Sequence, residues 1–151
     1  MRRIRANLLI GPSVHPTDLP RLRGAGVNAI LSLQEADRDL PAAVIERMRA
    51  ACEPAILFRN VGIPDYDPQG LISRLPAALE ALQSLHGEGR VVYLHCTEGI
   101  NRAPSVALAY LVVAERLDVD SALVVIRSED PFAVPYPYLV DWLRAIHLTK
   151  K

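Results

Sequence analysis

The sequence predicts a single α/β domain: a mostly parallel central sheet of four to five strands, flanked by helices on both faces. Three observations lead there. Short apolar runs alternate with longer amphipathic segments along the 151 residues, the order that parallel crossover units produce. Twelve prolines and eight glycines punctuate those segments. The length suits one domain with a full core and falls short of two of ordinary size.

The elements follow in order. Asn7 to Gly11 reads as a short strand closed by Gly11-Pro12, paired with Arg3 to Arg5 as an edge hairpin. Asp18 to Arg23 reads as a short helix, capped by Thr17 and ended by Gly24 and Gly26. Val27 to Leu33 alternates as a strand. Pro41 opens a helix that runs to Ala51, with Val44, Ile45 and Met48 as its apolar positions. Ala55 to Val61 is the next strand. Leu71, Leu75, Leu79, Leu82 and Leu85 then share one helical face, stopped by Gly87 and Gly89. Pro76 sits badly inside a helix, which places the start near Arg74 with Ser73 as cap. Val91 to Leu94 reads as a strand and Ala103 to Arg116 as a helix. Asp118 to Ser128 and Tyr136 to His147 read as two more helices, separated by Asp130-Pro131 and Pro135.

Composition narrows the functional classes. Half the residues are apolar and 23% are charged, a globular balance. Seventeen basic and seventeen acidic residues cancel, so no general nucleic-acid or membrane surface is expected. Two cysteines, Cys52 and Cys96, make neither a disulfide framework nor a zinc spacing. Cys52 reads as an inert residue at a helix end, with a peroxide-induced disulfide to Cys96 as its minor alternative. The run Leu8-Leu9-Ile10 is too short for a signal peptide, and no window approaches the roughly 18 apolar residues of a membrane span. The expectation is a soluble, cytoplasmic monomer that binds neither nucleic acid nor membrane.

Residues 95–105, His-Cys-Thr-Glu-Gly-Ile-Asn-Arg-Ala-Pro-Ser, carry the chemistry. They form a loop between a strand and a helix, with Cys96 and Arg102 six positions apart. Such a junction aims backbone N–H groups and the positive end of a helix dipole at one point. A phosphate dianion fits there, and the same field favours a thiolate. Cys96 is therefore the expected nucleophile, and the chain reads as a phosphate-monoester hydrolase. Arg102 offers a planar fork for two phosphoryl oxygens. Gly99 lets the backbone curl with its amides inward.

A leaving alkoxide needs a proton. Asp65, just off a strand end and 31 residues before Cys96, is the expected general acid, with Asp67 as its rival. Ligands of parallel sheets bind at the carboxyl ends of the strands, where both loops should open. His95 reads as a hydrogen-bonded brace for the loop rather than a proton donor.

With His95, Cys96, Gly99, Arg102, Pro104 and Asp65 assembled, the chain resembles the dual-specificity branch of the protein tyrosine phosphatases over nearly its whole length. Leu9 to Ser13, Asp18 to Val27 and Ala29 to Gln34 are similar to that family's opening segments. The resemblance implies the protein tyrosine phosphatase-like fold and one catalytic domain over 1–151. It also implies a phosphocysteine intermediate on Cys96, a phosphate loop of Thr97, Glu98, Gly99, Ile100, Asn101 and Arg102, and neither metal nor cofactor. Two positions depart from the family pattern. Ala103 stands where a Ser or Thr usually helps the thiolate leave, which predicts a slow second step. Asp130-Pro131 stands where Arg-Pro is common.

Within the family, Cys-Thr-x-Gly-x-x-Arg-Ala-Pro and Asp65-Tyr66-Asp67 look similar to the plant phosphoglucan phosphatases. Phosphotyrosine and phosphoserine or phosphothreonine in proteins are the default substrates, and a phosphoglucan is the alternative. Tyr66, Asp67, Phe132 and Tyr136 are the pocket candidates in either case. Glu98 and Ile100 add no cations to the loop, which ranks phosphoinositide and RNA 5′-phosphate substrates low. A phosphate-binding pseudophosphatase is the reading from outside enzymology.

Overall fold

The computed structural model describes residues 1–149; Lys150 and Lys151 of the expected 1–151 domain lie outside them. Five strands form one sheet: β1 (Arg2–Arg5), β2 (Leu8–Gly11), β3 (Ala29–Ser32), β4 (Leu57–Asn60) and β5 (Val92–His95). Their spatial order is β1-β2-β5-β3-β4. The edge hairpin β1–β2 is antiparallel, and every other pairing is parallel. The inner strands β2, β3 and β5 are buried throughout because both faces of the sheet are covered, whereas the edge strand β4 exposes Arg59.

Helices cover the two faces unequally. On one side lie α1 (Leu19–Gly24) and α2 (Ala42–Cys52), packed through Leu22, Ile45, Met48 and Cys52 onto Leu9, Ile30, Phe58 and Tyr93. On the other lie α3 (Pro68–Gly87), α4 (Arg102–Val113), α5 (Val119–Glu129) and α6 (Pro137–Thr149). They bury Leu71, Leu82, Val106, Leu108, Ile126 and Leu139 against Ile10, Leu31 and Leu94. Each such leucine contributes about 2 kcal/mol by leaving water. Strand alternation sorts the sheet residues between these two cores.

Most element boundaries fall within one or two residues of the sequence expectation, and three of the differences have a clear local cause. Helix α3 starts at Pro68 rather than near Arg74, because Asp67 caps it: its carboxylate accepts the Gly70 N–H at 2.9 Å. Ser73 lies inside that helix, and Pro76 is accommodated on its exposed side, where water can solvate the carbonyl left unbonded. Helix α1 is preceded by a 3-10 turn, Pro16–Asp18, which contains Thr17; Asp18 stands at the N-cap of α1 without a side-chain cap bond, and its carboxylate instead closes the turn by accepting the His15 N–H at 2.8 Å. Helix α4 ends at Val113, and Arg116 takes a left-handed φ of 60° in the turn to Asp118, which caps α5.

Candidate active site

The carboxyl ends of β5 and β3 open beside the first turn of α4. Cys96 follows β5 directly, and its sulfur lies under the curl of the loop, where the Gly99 N–H donates to Sγ at 3.3 Å. Gly99 has φ +77°, and a Cβ there would stand 2.5 Å from the Gly11 carbonyl carbon and 2.6 Å from Pro12 N. Only glycine meets both conditions, so the turn that faces the sulfur is packed onto the end of β2.

The loop is tethered on three sides. Ser13 N–H donates to the Thr97 carbonyl at 3.0 Å, and Val134 N–H to the Ile100 carbonyl at 2.8 Å. Asn101 Nδ2 returns a bond to the Val134 carbonyl at 2.9 Å. From below, His95 Nδ1 lies 3.0 Å from the Cys96 carbonyl. A carbonyl only accepts, so Nδ1 carries the proton. Burial pushes the imidazole down to about 4, so it stays neutral and braces the loop.

Arg102 is 2% exposed, the first residue of α4. Its Nη1 donates to Asp39 Oδ2 at 2.8 Å and to the Ile63 carbonyl at 3.0 Å. Its Nη2 donates to Asp39 Oδ1 at 2.7 Å and to Thr97 Oγ1 at 3.2 Å. The expected open fork is therefore already taken up by protein acceptors. Nε lies 3.6 Å from Asp65 Oδ1. Burial works against the guanidinium charge, but Asp39 outweighs it and holds the group firmly protonated.

Asp39 is the residue that sequence reasoning misses. Its carboxylate also accepts from the Glu35 N–H at 2.7 Å and from the Thr97 hydroxyl at 2.7 Å. Thr97 in turn accepts from Gln34 Nε2 at 3.2 Å. Burial pushes Asp39 up, yet the bonds from Arg102, the Glu35 amide and Thr97 win, leaving it at about 2. The only hint in the sequence is an acidic residue in the loop after a strand, a weak signal. Its reach of 63 positions to Arg102 follows from the turn at Asp37, which has φ 66°, and from the Ala36–Leu40 bridge.

Asp65 lies on the loop after β4 and lines the same cavity of about 140 Å3 as Asp39, Tyr66, Cys96, Thr97, Glu98, Ile100, Asn101 and Arg102. The Tyr136 hydroxyl donates a short hydrogen bond to Asp65 Oδ1 and accepts the Tyr66 N–H at 3.3 Å. Tyr66 takes a left-handed φ of 54°, a strained backbone for an aromatic residue, and that N–H bond helps hold it. Tyr136 itself is aligned by Ser105 Oγ, which accepts the Tyr136 N–H at 2.9 Å.

The pocket candidates thus separate. Tyr66 forms a wall. Tyr136 stands behind Asp65 as its hydrogen-bond donor rather than lining the cavity. Asp67 caps α3 through the Gly70 N–H and lies outside the cavity lining. Phe132 lies outside the lining, 73% exposed on the loop whose Val134 grips Ile100. Cys52 is packed in the core on the opposite sheet face from Cys96, so the sheet stands between the two thiols. Burial raises the Cys52 thiol to about 11.

Residues 13–147 match the family described as "Dual specificity phosphatase, catalytic domain". The phosphoglucan phosphatase DSP4, amyloplastic, of Castanea sativa is 36% identical over 113 residues, covering 72% of this chain and 30% of that protein. Dual specificity protein phosphatase 12 of Mus musculus is 25% identical over 130 residues, covering 86% and 36%. The chain spans about a third of the length of these curated relatives. Among solved structures, human DUSP28 superposes with a TM-score of 0.78 at 19% identity, covering all of both chains. The human tyrosine phosphatase-like serine/threonine/tyrosine-interacting protein superposes at 0.75 and 19%, covering 99% and 97%. At such identity these two likenesses speak to the fold.

Proposed function

The chain belongs to the dual specificity phosphatase catalytic-domain family, and from that premise we propose that it hydrolyses phosphate monoesters through a phosphocysteine on Cys96. The observation that carries this reading is the convergence of Cys96, Arg102 and Asp65 on one small cavity. In the first step Cys96 Sγ, as thiolate, forms a bond to phosphorus while the ester P–O bond breaks. The leaving oxygen takes the proton held by Asp65. In the second, water attacks phosphorus, gives a proton to Asp65, and the S–P bond breaks to restore the thiolate. Arg102 stabilises the equatorial oxygens in both steps. Its Nε has no hydrogen bond among the described residues, and a second phosphoryl contact through Nη2 displaces the Thr97 hydroxyl.

Phosphorylated proteins are the substrates we propose first. Tyr66 is 76% exposed beside a cavity whose floor residues, Cys96 and Arg102, are 3% and 2% exposed. An exposed aromatic over a buried thiol suits a phosphorylated side chain that reaches inward. A phosphoglucan is the second reading, favoured by the 36% identity to the Castanea sativa enzyme and by the same aromatic surface, on which a sugar ring can stack.

Phosphate release from phosphopeptides set against release from phosphorylated amylopectin separates the two. Cys96→Ser is expected to abolish either activity. If the wild-type chain releases no phosphate from these substrates or from a generic aryl phosphate, yet binds orthovanadate, the hydrolytic reading gives way to a phosphate-binding pseudophosphatase.

A further inference from the structure

Behind the phosphate loop, on the α2 side of the sheet, lies a second cavity of about 200 Å3. Its body is apolar, with Val14, Leu40, Val44, Ile45, Met48 and Phe58 among its walls, and exposed His15, Pro16 and Arg47 also border it. Cavities of about 150 Å3 with such walls hold benzene. His95 lines this one too, and its Nε2 is buried with no hydrogen-bond partner among the described residues. Because Nδ1 spends its proton on the Cys96 carbonyl, and burial keeps the ring neutral, Nε2 presents a lone pair. A buried acceptor without a donor has lost its bond to water and gained none in return. A molecule that fills the space and brings a donor supplies the missing bond.

We propose that this cavity is a second ligand site, taking a compact phenol or similar alcohol whose hydroxyl donates to His95 Nε2, and that its occupancy is felt by the phosphate loop. The coupling is physical contact. Three residues that line the cavity each hold the loop from behind: Ser13 through the Thr97 carbonyl, Gln34 through the Thr97 hydroxyl, and His95 through the Cys96 carbonyl. Thr97 then touches both Asp39 and Arg102. Strand alternation separates the compartments: His95 faces the back cavity, while Cys96 turns to the phosphate side. Binding here does not depend on turnover, so the site stands apart from the hydrolytic reading.

The test is a titration of the whole chain, 15N-labelled at histidine and at backbone amides, with 4-methylphenol, and with toluene as the probe that lacks a donor. The His95 Nε2 resonance is expected to shift saturably, with the Thr97 and Gly99 amides following at the same midpoint. Toluene is expected to bind at least about fivefold more weakly, the worth of one hydrogen bond. Val44→Phe, on the cavity wall and outside the catalytic machinery, should abolish the shift while its amide spectrum stays native. Should that variant unfold, a crystal soaked with 4-iodophenol serves instead, with iodine expected between Val44 and Phe58. The proposal is overturned by the absence of a saturable shift up to about 10 mM phenol. Equal affinity for toluene, unmoved Thr97 and Gly99 amides, or iodine seated against Cys96 would overturn it equally.

Discussion

Asp39 and Arg102 meet through two parallel hydrogen bonds, Nη1 to Oδ2 at 2.8 Å and Nη2 to Oδ1 at 2.7 Å. The side chains are 13% and 2% exposed respectively, so this pair is shielded on nearly all sides. Asp39 thereby fixes the plane of the guanidinium that, in the proposed reaction, meets the phosphoryl group.

Asp39→Asn keeps the shape and removes the charge. The stranded guanidinium is expected to lower stability by about 3 kcal/mol in urea unfolding. Misplacement of Arg102 should cost about a hundredfold in kcat/KM for an aryl phosphate. Orthovanadate should restore part of the lost stability, since it returns an anion to Arg102. A variant as stable and as active as wild type would refute the positioning role.

Acid sensitivity follows from the same contact. Asp39 lies at about 2 when folded, below the ordinary carboxylate range. Its contribution to stability is therefore complete above about pH 4 and is lost as pH falls through about 2. His95 adds a second window of the same direction. Its folded value near 4 lies below the ordinary value of 6.5, so the unfolded chain binds the extra proton between those limits. Stability should fall as pH drops from about 6.5 to 4. Urea midpoints for wild type and His95→Asn, taken across pH 7 to 4, measure this, and the variant should show the shallower slope.

The choice between the two carboxylates near the cavity is testable by substitution. Asp65→Asn is expected to slow hydrolysis of a poor leaving group by about a hundredfold or more, and much less for an acidic phenol. Asp67→Ala is expected to leave turnover nearly intact while costing about 1 kcal/mol of stability through the lost cap. The opposite pattern in a paired kinetic and thermal-melt measurement would move the acid to Asp67.

Tyr136→Phe removes the donor to Asp65 without disturbing the Ser105 bond to its main chain. About a fivefold loss in kcat is expected, from one hydrogen bond, with KM unchanged. The loss should shrink with acidic leaving groups, as it does for Asp65→Asn. A change confined to KM would instead make Tyr136 a wall of the pocket.

Local patterns reveal much of this molecule and distant closures do not. The strand, loop and helix around Cys96 are legible because glycine, arginine and the apolar run lie within a dozen positions. The alternation of elements likewise foretells a parallel sheet with an antiparallel edge. Asp39 is invisible because its approach to Arg102 depends on how a loop turns at Asp37, and no spacing rule links them. The start of α3 is misread for a different reason. Pro76 suggests a break, whereas Asp67-Pro68 is the stronger signal, and a long buried stripe from Leu71 to Leu85 outweighs one missing hydrogen bond.

The fit of Gly99 against Gly11 and Pro12 makes the anion cradle a joint product of two remote stretches of chain. Grafting residues 95–105 alone into another scaffold would leave the turn without the floor that shapes it. The second strand of the N-terminal hairpin therefore serves two ends at once, as an inner strand of the sheet and as the floor on which the loop around Cys96 is shaped.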